Sequence, residues 1–99
     1  RFLLVNGGEL WQWAPNRDPE LLLRQSERIV NAAWHRNGND VFFATDKIVS
    51  ALNLDPRDGR LVTRLASFDR ITDLSVLEHV LVITGTRNGI KGLWTLEVE

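Results

Sequence analysis

Repetition is the property that most narrows what this chain can become. KIVSALNLDPRDGRL at residues 47–61 lies over GIKGLWTLEVE at 89–99, with Ile48 on Ile90, Leu52 on Trp94 and Leu54 on Leu96, an offset of 42. In the other direction Leu52 falls on Trp11, Leu54 on Trp13 and Pro56 on Pro15, an offset of 41. The upstream part of the unit repeats as well. RIVNAAW at 28–34 matches RITDLSV at 70–76 at 42, and VFFAT at 41–45 matches VLVIT at 80–84 at 39. The last offset implies compensating changes in loop length, which surface loops tolerate. A period of this size marks a supersecondary unit copied and stacked, because one copy alone cannot bury its apolar face.

Each repeated segment is short, rich in Val, Ile, Leu, Phe and Trp, and bounded by turn residues, which reads as β-strand. Asn37-Gly38 and Asn88-Gly89 are hairpin signals, since the tight turn that matches strand twist needs positive φ at its central residues. NGGE at 6–9 reads as another hairpin turn, and DPRDG at 55–59 as a loop turn in which Pro presets φ and Gly follows. PELLLRQSERIV at 19–30 carries two readings. Pro19 sits where a short helix begins, whereas the repeat sets LLLRQ opposite VTRLAS as a strand. With four strands a, b, c and d per unit, the middle unit is complete at 29–35, 41–45, 48–54 and 61–66. Strands b, c and d of an earlier unit precede it, and a, b and c of a later one follow. The expected fold is all-β, built of four-stranded antiparallel units, in one segment divided at 1–25, 26–67 and 68–99.

Composition removes several alternatives. Twelve basic residues against thirteen acidic ones leave a net charge of -1, without the basic footprint that phosphate binding requires. No cysteine is present, so neither disulfides nor thiolate chemistry enters. No unbroken apolar run is longer than the one at 80–83, which is far too short to cross a bilayer, and no signal segment opens the chain, so the sequence reads as soluble with its compartment unspecified.

AAWHRNGNDVFFAT at 32–45 resembles the blade pattern of TolB-like β-propellers, in which a strand ends in Trp, a Ser-Pro-Asp-Gly turn follows and the next strand is apolar. Trp34 and Gly38 match, while His35, Arg36 and Asn37 replace the first three turn residues. KGLWTLE at 91–97 is similar to the close of a WD-repeat strand, with Trp94 on the signature Trp and Thr95, like Gln12 and Asn53 in the other copies, in place of the signature Asp. The resemblance implies consecutive β-propeller blades, about two and a half of them, from the C-terminal part of a longer propeller. It further implies a fold that often serves interaction.

Candidate sites are weighed against that architecture. Trp11, Trp13, Trp34, Leu52, Leu54, Trp94 and Leu96 are expected to form the repeated core. Arg28 with Arg70, and Asn31 with Asp73, recur at the start of strand a and are candidates for a contact rim. His35 and His79 fall in the loops between strands a and b, where Asp40, Asp46 and Glu78 are the acids that a metal site would recruit, but no ligand spacing motif joins them. No G-x-S-x-G elbow accompanies Ser26, Ser50, Ser67 or Ser75. No catalytic, cofactor or metal site is therefore expected. The function expected is a non-catalytic segment that binds a protein or peptide, with no nucleic acid and no membrane insertion. The alternative is a natural or engineered fragment that completes its fold by homo-oligomerisation.

Overall fold

A computed structural model describes residues 1–55, 57 and 60–98. The described residues form ten strands: β1 (Phe2–Asn6), β2 (Glu9–Trp13), β3 (Glu20–Arg24), β4 (Asn31–Trp34), β5 (Asp40–Ala44), β6 (Ile48–Asn53), β7 (Val62–Ser67), β8 (Arg70–Leu77), β9 (Val80–Arg87) and β10 (Ile90–Glu97). They form three antiparallel sheets in chain order, β1-β2-β3, β4-β5-β6-β7 and β8-β9-β10. Every expected strand is present, and 20–24 is strand rather than helix. The helical reading fails because Leu10 pairs with Leu23 and Trp11 with Leu21, a bulge between them turning Leu22 into the core. Among the described residues no helix is long and apolar enough to cross a membrane.

Local turn chemistry sets the hairpins. Arg87 pairs with Ile90 across Asn88 and Gly89, whose φ angles of 51° and 76° give the doubly positive turn that suits strand twist. The loop at 36–39 differs from expectation. Only Gly38 has positive φ there, because Gly38 N–H donates to His35 O within a wider loop closed by His35 N–H to Asp40 O. Asn37 instead uses its side chain, its Oδ1 accepting from the N–H groups of Asn39 and Asp40. The turn expected at 55–59 lies partly outside the described residues.

The middle sheet is covered on both faces. Val41, Phe43 and Leu52 face the first sheet, where they meet Leu10, Leu22 and Ile29. Phe42, Ala44 and Val49 face the third, against Phe68, Ile71, Leu74, Leu81 and Ile83. Double coverage explains the unbroken VFFA run of β5, since alternation of polar and apolar residues is kept only where one face meets water.

Strand c keeps its repeat in space. Leu52 and Leu54 face the sheet that precedes theirs, as do Trp94 and Leu96, with Trp94 edge-on to Phe68 at 5.5 Å between ring centres. Trp11 and Trp13 sit on the corresponding face of the first sheet, opposite to Leu10 and turned away from the second sheet. On that face Trp13, expected in the repeated core, is 41% exposed and stacks on Phe2. Trp11 is half-buried, and Trp34 is half-buried against the first core. The 39-residue offset for strand b is also corrected. It sets Val41 and Phe43, which face backward along the chain, on Val80 and Val82, whereas Leu81 and Ile83 are the residues turned to the preceding sheet. A slip of three from the 42-residue register exchanges the two faces of a strand, so the 39-residue offset does not fit. The cross-strand pairs Val41↔Leu52 and Ile83↔Trp94 restore 42 without any loop compensation.

Successive sheets are joined by one repeated connection. Ile29 N–H donates to Gly7 O at 2.8 Å, and 42 residues later Ile71 N–H donates to Asp46 O at 2.6 Å. In each case the first residue of a b-to-c turn receives the chain as it starts the next sheet. The second residue of the same turn accepts from the end of strand d, Gln25 N–H to Gly8 O at 3.0 Å and Phe68 N–H to Lys47 O at 2.8 Å. Backbone groups that would otherwise be orphaned where the chain leaves one sheet for another are thereby satisfied.

Candidate interaction surfaces

The four rim residues behave as two pairs. Asn31 and Asp73, 42 apart in sequence, touch one another: Asn31 Nδ2 donates to Asp73 Oδ1 at 2.8 Å and to Leu74 O at 3.1 Å. Each also folds back on its own strand, Asn31 Oδ1 accepting from Ala32 N–H and Asp73 Oδ1 from Leu74 N–H. They clamp the second sheet to the third. Arg28 and Arg70 are exposed, and Arg70 borders a groove on the outer side of the third sheet.

The amide of Asn31, and after it the N–H of Leu74, hold the Asp73 carboxyl below the usual carboxylate range. A group whose folded pKa is depressed stabilises the fold fully above its unfolded value and ceases to do so as pH falls through the folded one. Asp73→Asn keeps an oxygen acceptor at the same place but has no proton to take up. The acid limb of a stability-versus-pH curve is therefore expected to be shallower for Asp73→Asn than for the unaltered chain below about pH 4. Equal limbs in pH-dependent urea denaturation would mean that the clamp carries no linkage.

The loop end between the first and second sheets holds a cleft of about 590 Å³ that the sequence did not single out. Three guanidinium groups and two carboxylates gather on it. Arg60 reaches back across the sheet boundary to bond Glu20 and to donate to Leu21 O at 2.9 Å. Arg57 and Asp55 form an ion pair at 2.8 Å, and Arg1 lies over the Trp34 ring at 4.3 Å while donating to Gly38 O. Hydrogen bonds from Gln12 and then Arg60 hold the Glu20 carboxyl low, and Arg57 does the same for Asp55, so both acids remain charged. Gln12 also lines the cleft, its Oε1 buried with no partner among the described residues. These residues escaped notice because nothing in a 42-residue repeat marks Glu20 and Arg60 as neighbours. They do not occupy equivalent positions, and only folding brings 20 beside 60.

The histidines stand apart. His35 Nδ1 accepts from Asn37 N–H at 3.0 Å, and His79 Nε2 lies 3.2 Å from the Arg36 guanidinium. No group of three or more metal-type ligands converges among the described residues.

No family model, curated protein or solved structure matches the chain significantly. The surfaces therefore have to be read from their own chemistry. Two sheet faces also stay open. The outer side of the first sheet carries Phe2, Leu4, Trp11 and Trp13 around the Glu9–Arg24 ion pair, and the outer side of the third carries Leu77, Val82 and Leu93 among threonines. Indole and guanidinium hydrogen bonds, the indole of Trp11 first, keep Glu9 ionised below the ordinary range. Exposed apolar side chains gathered on one face are the usual mark of a surface that meets a partner.

Proposed function

We propose that this chain is a set of consecutive β-propeller blades serving as a non-catalytic interaction module that presents its charged loop-end cleft to a protein or peptide. The observation that carries the propeller reading is the repeated connection, Ile29 N–H to Gly7 O and Ile71 N–H to Asp46 O, its donors 42 and its acceptors 39 residues apart, which hands the chain from sheet to sheet by one rule. A β-sandwich would pair two sheets and need no such rule, whereas radial repetition does. The cleft supports the binding reading. Its arginines and acids alternate in sign, which favours a partner of mixed charge over a polyanion.

Two measurements test these statements separately. An experimentally determined structure is expected to give the same rotation between the first and second sheets as between the second and third. Unequal rotations would remove the propeller reading. Peptides selected from a displayed library against the chain are expected to lose binding to an Arg57→Ala, Arg60→Ala double variant. Selected peptides indifferent to that change would move the binding surface away from the cleft.

A further inference from the structure

Both interfaces inside the chain obey the same matching. A face turned forward along the chain, Phe42, Ala44 and Val49 on the second sheet, receives a face turned backward, Leu81, Ile83 and Trp94 on the third. The backward faces carry large side chains on strand c, at Trp11 and Trp13, Leu52 and Leu54, Trp94 and Leu96, joined on the second sheet by Phe43 of strand b. Among the described residues one face of each kind has no sheet packed against it. On the first sheet the open face is of the backward type, with Phe2 at 55%, Leu4 at 48% and Trp13 at 41% exposure. On the third sheet it is of the forward type, with Leu77 at 67% and Leu93 at 63%, set among Ser75, Thr84 and Thr95. Aromatic groups set against aliphatic ones already interdigitate within the chain at the first junction, where Phe43 meets Leu10 and Leu22.

From this continuity we infer that a second copy of the chain is the occupant: the outer face of the third sheet of one copy docks head to tail on the outer face of the first sheet of the next. The inference rests on the propeller-type reading, because it extends the sheet-to-sheet rule from within one chain to between chains. Trp13 and Phe2 enter as anchors, and Leu93, Leu77 and Val82 form the floor that receives them. Such an interface joins unlike patches. Copies so joined close into a ring if the rotation allows and otherwise continue as an open array.

Sedimentation equilibrium over a concentration series tests it, with circular dichroism confirming the fold of each sample. The unaltered chain is expected to exceed its monomer mass of 11.3 kDa increasingly as concentration rises. Trp13→Glu and Leu93→Glu each spoil one face, both at exposed positions, and each alone is expected to weaken association at least about tenfold, as the loss of a central anchor does. Mixed in equal amounts, the two variants retain one intact face each. They are expected to form a pair of twice the monomer mass and nothing larger. Persistent self-association of the Trp13→Glu variant through like faces overturns the proposal, as does a folded unaltered chain that stays monomeric at all concentrations. Neither result bears on the equality of the sheet rotations, so failure here is distinguishable from failure of the propeller reading.

Discussion

Gly8→Ala is expected to lower stability by on the order of 4 kcal/mol or more, a large share of the stability of an ordinary domain. A Cβ placed on Gly8 falls 2.0 Å from Gln25 O and 2.9 Å from Glu27 O, both backbone atoms. The approach is held from both sides, since Gly8 O itself accepts from Gln25 N–H at 3.0 Å while Gly7 O accepts from Ile29 N–H. Relief requires the β2 hairpin to part from the segment that leads into the second sheet, and both connections break with it. Its neighbour is the control. Gly7 has φ of +60° and no atom within 4 Å of an added Cβ, so Gly7→Ala meets only the left-handed penalty of about 1–2 kcal/mol. Urea denaturation of the two variants side by side separates the causes. Equal losses would show that conformational strain, and not the close approach, is what glycine relieves in this turn.

Phe42→Ala and Phe43→Ala are each expected to cost about 3–5 kcal/mol, the usual range for an aromatic lost from a closed core. Their local consequences are opposite. Phe43, 2% exposed, packs with Leu10 and Leu22 of the first sheet, while Phe42, 3% exposed, packs with Leu74 and Leu81 of the third. Amide hydrogen exchange on Phe43→Ala is therefore expected to accelerate mainly in β1–β3, and on Phe42→Ala mainly in β8–β10. Stacked repeats interact chiefly with their nearest neighbours, so damage at one junction stays on its own side. The same exchange pattern in both variants would mean that the three sheets open as one unit.

Much of this arrangement was legible in the sequence. All ten strands were foreseen, and strand c betrayed the period of 42 because its large residues at Trp11, Leu52 and Trp94 must fill the same place in each copy. Strand b misled for a physical reason. VFFAT and VLVIT are apolar on both faces, so one-residue slips cost nothing in composition, and only packing distinguishes the side of Phe43 from that of Val82. Trp13 misled differently: its position in the repeat is a core position, but burial depends on a neighbouring sheet that sequence similarity cannot supply. The Asn31–Asp73 pair was visible as a recurrence, though not as a contact. The cleft was not visible at all, since Arg60 and Glu20 meet across a sheet boundary and belong to no repeating pattern.

The repeated hand-over at the b-to-c turns divides the molecule into two unlike ends. At that end the peptide backbone itself ties sheet to sheet, through Ile29 to Gly7 and Ile71 to Asp46, and a carbonyl cannot be exchanged by changing a codon. At the opposite end the ties across sheet boundaries are side chains, Arg36 beside His79 and Arg60 on Glu20. A residue inserted at 46–47 would carry the acceptor away from its donor, whereas one inserted at 36–39 displaces only a surface loop. Substitution and length variation can therefore accumulate at one pole of the molecule while the other stays fixed, and the cleft lies at the variable pole. New binding preferences can arise there without renegotiating how the sheets are assembled.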